Sequence, residues 1–92
     1  MNAERAAALA TDALIWLAGR PEDMARFLAA TGAEAGDLRR RAGEAEFLGF
    51  VLDFLLGEED LARDFAAAAG LGPEDALRAR MTLPGGALPN WT

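Results

Sequence analysis

The sequence predicts an all-α protein: a compact bundle of five to six short helices, followed by an irregular tail rich in proline and glycine. Three observations carry that prediction. Alanine and leucine dominate, while β-branched residues are scarce, with a single Val and a single Ile in the chain, a balance that favours helix over strand. Apolar residues recur with a period near 3.6 rather than 2. Glycine and proline stand at regular intervals, where helices would stop and start.

Taken in order, Asn2 is placed to cap a first helix running to about Ala18. Leu9, Ala13, Trp16 and Leu17 share one face of it. Gly19 ends it, Pro21 suits the first turn of a second helix, and Glu22 and Asp23 complement its dipole. Met24, Phe27 and Leu28 form the inner stripe of that helix, and Gly32 is placed for a left-handed cap. A short third helix is expected over about 37–42, anchored by Leu38 and bracketed by Gly36 and Gly43. The fourth, about 44–56, is the expected centre of the fold. Phe47, Phe50, Val51, Phe54 and Leu55 define its inner face, and Leu48, Leu52 and Leu56 a second side. A helix apolar on nearly every side needs neighbours on several sides. In it Gly49 marks a close helix approach, and Asp53 is either at the rim or paired with an arginine. Glu58, Glu59 and Asp60 open a fifth helix with Leu61, Phe65 and Ala68 inward and Gly70 as its cap. Gly72-Pro73-Glu74-Asp75 starts a sixth, with Leu77 and Met81 inward. The helical domain is placed at 1–83, and 84–92 is a tail that either packs on it or faces a partner.

The chain repeats itself. Phe27 to Gly32 and Phe65 to Gly70 both read F-x-A-A-x-G, at an offset of 38 residues (65 − 27). Each is preceded by a Gly-terminated apolar helix and followed by Leu-Arg-x-Arg, with one-residue slips between blocks. One reading is two three-helix units related by a pseudo-twofold axis, whose apolar faces need each other. The other is compositional: Ala-rich helices with acidic starts and Gly ends resemble one another anyway.

Composition narrows the chemistry. The 92 residues, 52% of them hydrophobic, suit one globular domain with a modest core. The chain has no Cys, His, Ser, Tyr, Lys or Gln. The usual nucleophiles, the imidazole base and thiolate ligands are therefore missing, and neither catalysis nor a cofactor nor a metal site is expected. A net charge of −6 disfavours nucleic acid and anionic lipid as partners. The start of the chain lacks a basic targeting region, and the apolar run Phe47 to Leu56, broken only by Asp53, is too short to span a bilayer. A soluble cytoplasmic protein is expected, as a monomer or homodimer.

Two features are candidates for partner binding. Arg39, Arg40 and Arg41 form the one basic cluster. A helix-turn-helix can be drawn through 27–42 with these arginines on its second helix, against the charge balance of the whole chain. The plainer reading is a solvated helix end whose cations bridge nearby carboxylates. Trp91 is the second candidate, either folded back into a groove of its own domain, the favoured reading, or exposed as an anchor for a partner. The acidic cluster Glu58, Glu59, Asp60 and Asp64 lacks the spacing of a calcium loop.

The stretches "FLAATGAEAGDLRRRA", "EFLGFVLDFLL", "FAAAAGLGPEDALRAR" and "LPGGALPNWT" together resemble a small alphaproteobacterial family catalogued as a domain of unknown function (family 3572). The resemblance covers nearly the whole chain and implies a bacterial, cytoplasmic, all-helical protein. It brings no activity, ligand or site residue. The function expected from all of this is a small helical protein-interaction or regulatory module. The alternative is a nucleic-acid-associated factor acting through Arg39, Arg40 and Arg41.

Overall fold

The structure, a computed structural model, describes residues 1–84. Six helices follow one another: α1 (Ala3–Ala18), α2 (Pro21–Thr31), α3 (Leu38–Arg41), α4 (Ala45–Leu56), α5 (Glu59–Ala69) and α6 (Asp75–Thr82). A single 3₁₀ turn, Ala35–Asp37, leads into α3, and there is no strand among the described residues. The radius of gyration, 12.3 Å, is that of a compact chain of this size.

Local chemistry sets the boundaries. The Asn2 side chain accepts a 2.7 Å hydrogen bond from the Arg5 amide and so caps α1. Pro21 opens α2. Asp75 turns back to accept from the Gly72 amide at 2.8 Å, closing the entry to α6. Gly32 and Gly70 end α2 and α5 in the left-handed region, at φ 75° and 69°. An added Cβ would meet nothing within 4 Å at either glycine, so backbone strain is the sole cost of a side chain there. Gly32→Ala and Gly70→Ala should each lower stability by about 1–2 kcal/mol. Denaturant melts of the two variants check this, and unequal losses would separate the two sites.

The 38-residue echo holds through the core. Six pairs at that offset are buried together: Leu9 and Phe47, Ala10 and Leu48, Ala13 and Val51, Leu14 and Leu52, Leu17 and Leu55, Phe27 and Phe65. Aromatic contacts follow the same rule. Trp16 meets Phe65 at 5.4 Å between centroids, and its counterpart Phe54 meets Phe27, the counterpart of Phe65, at 5.5 Å. Exchanging the halves thus maps one contact onto the other, as a pseudo-twofold arrangement of two helical hairpins requires. The offset is constant here, without the slip that a comparison of acidic residues suggests: Asp23 corresponds to buried Leu61, not to Asp60.

The third helices break the correspondence. The single turn α3 packs chiefly on the 3₁₀ turn before it, whereas the longer α6 lies across both α1 and α4. The similar Leu-Arg-x-Arg blocks therefore play different parts. Leu77 and Met81, expected inward, stand 49% and 53% exposed, and α6 is seated instead by Ala79 and by Leu83 just past its end. Gly49 on α4 faces Arg80 of α6, and a small residue at 79 permits the close approach there. Ala68 is likewise exposed rather than inward.

α4 is enclosed as expected, but it is rotated. Phe47, Leu48, Val51, Leu52 and Leu55 are buried, Phe54 is half-buried, and Phe50 is 43% exposed.

Candidate functional site

Phe50 is the exception on the buried central helix. Its counterpart in the repeat is Asp12, an exposed acid on the outer side of α1. Position 50 is therefore an outward position that carries a phenyl ring. Two open hollows flank it. One lies between the end of α2 and the outer side of α4 and is lined by Ala30, Thr31, Phe50, Asp53 and Phe54. The other is lined by Arg41, Glu44, Phe47, Phe50 and Pro84, among others. Phe50 lines both, so the two hollows, together the trough, lie on either side of its ring, one toward α2 and the other toward Pro84.

One rim of the trough is held by a latch. Arg80, only 12% exposed, reaches from α6 to clasp the Asp53 carboxylate through two nitrogens, one at 3.0 Å, and donates a third hydrogen bond at 3.1 Å to the Pro84 carbonyl. Asp53 is thus both at the rim and paired with an arginine. Gly49 makes room for this arrangement: a Cβ there would lie 2.9 Å from the Arg80 guanidinium and 3.2 Å from the Pro84 oxygen. The bidentate clasp fixes where the chain leaves α6.

The arginine run divides in two. Arg41 turns inward, stacks over Phe47 at 4.6 Å and pairs with Glu44 at 3.6 Å, so it forms part of the trough wall. Arg40 is exposed and pairs with Asp37 at 3.3 Å. Arg39 is exposed and makes no ion pair among the described residues. Trp91 lies outside the described residues, as do residues 85–92 of the tail.

Three of the four residues of the acidic cluster, all but Asp64, are taken up in ion pairs. Glu58 meets Arg26, while Glu59 and Asp60 both face Arg63. Among the described residues, no three carboxylates converge as a metal site would require. Among the described residues, no helix is long and apolar enough to cross a membrane.

A charge network joins the hairpins. Asp23 accepts from Arg26 at 2.6 Å and from Arg20 at 2.7 Å, and Arg26 also meets Glu58. The hydrogen bond from Arg26, then that from Arg20, holds the Asp23 carboxyl below its ordinary range. A carboxyl depressed in the folded state contributes stability above its unfolded pKa of about 4 and loses that contribution as pH falls through the lowered folded value. A carbon-detected titration of Asp23 should therefore have a midpoint below that of an unstructured aspartate, and Arg26→Ala should move it upward. A midpoint at the ordinary value would remove the network from the account.

A family model described as "Protein of unknown function (DUF3572)" matches residues 3–86. No curated protein and no solved structure matches the chain.

Proposed function

We propose that this chain, which belongs to the DUF3572 family, is a small protein-interaction or regulatory module of a bacterial cytoplasm, and that its binding face is the Phe50 trough. The occupant is an amphipathic helix of a partner protein, with its apolar side on Phe50 and acidic residues toward Arg39 and Arg40. The observation that carries the reading is the 43% exposure of Phe50 at a position where the repeat puts an acid. An exposed aromatic beside an apolar hollow is the usual anchor of helix-in-groove recognition. The exposed cations Arg39 and Arg40 supply charge of the sign that an acidic segment seeks. The absence of Ser, Cys, His, Tyr and Lys supports a binding role over a catalytic one. Nucleic acid is a poorer fit: α3, where the arginines sit, is a single turn and offers no recognition helix to lay in a groove.

The test is site-specific photo-crosslinking in the native cell, with the reactive group at position 50 or, as a control, at exposed position 67. A discrete adduct from 50 only, lost when Arg39→Glu and Arg40→Glu are added, is the expected result. Equal adducts from both positions, or none above background from 50, would overturn the proposal. So would a mixed-sequence DNA duplex that the full chain shifts at low salt and the two Glu variants do not.

A further inference from the structure

We propose that the outward side of α6 is the face on which two copies of this chain meet, as an antiparallel pair of α6 helices about a twofold axis that passes near Ala76. This face is distinct from the Phe50 trough.

α6 carries more apolar surface than its seat in the fold uses. Ala79 and Leu83 hold it against the core, yet Leu77 and Met81 are also apolar and stand about half exposed. In the first half of the chain the same Leu-Arg-x-Arg block turns its leucine in, and Leu38 packs against the core. At about 3.6 residues per turn, Leu77 and Met81 lie on the side of α6 opposite Ala79, in one stripe with Glu74 and Arg78. The stripe is helical throughout, because the Arg78 amide donates to the Glu74 carbonyl at 3.0 Å. Met1, whose carbonyl accepts from the Thr82 hydroxyl at 3.4 Å, adds a further exposed apolar residue near the end of α6.

Charge identifies what covers the stripe. In order it reads acid, leucine, arginine, methionine, and it is its own complement when laid antiparallel. Glu74 and Arg78 stand equally far from Ala76, so Glu74 of each copy comes level with Arg78 of the other. The two Leu77 side chains meet between these pairs, and Met81 lies against the entry to the other copy's α6. Within one chain Glu74 and Arg78 already face each other at 3.5 Å, but both are well exposed, and a solvated pair of that kind contributes little. Across the axis the same charges flank a desolvated apolar centre, where opposite signs favour this register and like signs repel. The contact uses one patch on both copies, so it closes at two and leaves no open end. The apolar patch is small, so association is expected at about 10–100 µM.

The test is sedimentation velocity of the full chain from about 1 µM to 1 mM. A reversible monomer–dimer equilibrium is expected in that range. Leu77→Asp should leave only monomer, with helicity unchanged. Glu74→Arg and Arg78→Glu should each weaken the dimer by about tenfold or more, since each sets like charges against one another twice. Mixing these two variants sets two arginines of one copy against two glutamates of the other, so the mixture should dimerise at concentrations where neither variant does alone. The ion pair within each α6 stays broken in that mixture, so a merely local role for Glu74 and Arg78 gives no recovery. A wild-type chain that is monomeric throughout the range overturns the proposal, as does a mixture that stays monomeric, or charge variants that dimerise as tightly as the wild type. A dimer that survives Leu77→Asp also overturns it, and its loss with Phe50→Asp instead would move the second copy to the trough. Should Leu77→Asp unfold the chain, the mixture decides alone.

Discussion

Phe27→Ala is expected to lower the stability of the protein by about 3–5 kcal/mol, and Phe65→Ala by a comparable amount. Both rings are essentially inaccessible to water. Phe27 meets Phe47 and Phe54 edge-on at 5.6 Å and 5.5 Å, and Phe65 meets Trp16. Truncation forfeits the transfer free energy of the ring and leaves a cavity that helices already in close contact fill only in part. Because the two rings hold corresponding places in the two hairpins, their losses should match within about 1 kcal/mol. Small domains have roughly 5–15 kcal/mol in all, so either variant should stand close to unfolding at room temperature. Urea melts followed by circular dichroism measure both losses. A large loss at one position with little at the other would mean that the hairpins do not share the core equally.

Gly49→Leu is the second large effect, expected at about 3 kcal/mol. The new side chain would run into the Arg80 guanidinium and the Pro84 carbonyl. It would lift α6 from α4 and open the Asp53 clasp. Gly49→Ala meets the same two atoms with its Cβ, so it should also lower stability, but by less than Leu, because the gain in helix propensity, about 1 kcal/mol, offsets part of the crowding. The contrast between the two substitutions separates close approach from backbone flexibility as the reason for a glycine at this place. If Leu proves no worse than Ala, α6 is not seated as described.

Much of the fold is legible in the sequence because backbone demands leave direct marks. Asn2, Pro21, Gly32 and Gly70 occur where a helix must be capped, started or turned left-handed, and the structure places each of them so. The orientation of α4 is not legible for the opposite reason. A helix apolar nearly all round offers no contrast between faces, so a stripe through Phe50 reads as well as the observed one through Leu48 and Leu52. Leu77 and Met81 mislead because hydrophobicity alone suggests burial, whereas helices in close approach select the small Ala79. The partner of Asp53 lies 27 residues away, a pairing that local pattern cannot show.

The candidate site was half visible. The arginine run stands out by charge, but nothing in its spelling tells that Arg41 turns onto Phe47 while Arg39 and Arg40 face water. Phe50 is hidden by its hydrophobic neighbours. The signal that exposes it is the echo itself, since the residue 38 places earlier is Asp12. The repeat thus serves as an internal control that shows where the halves differ: Phe50 against Asp12, and α6 against α3.

That correspondence is the central claim, and aromatic Overhauser contacts in the wild-type protein, with Phe and Trp selectively labelled, test it most directly. The account predicts contacts from Trp16 to Phe65 and from Phe27 to Phe54 in the same spectrum. Finding either contact without the other, or Trp16 against Phe27 instead, would contradict it.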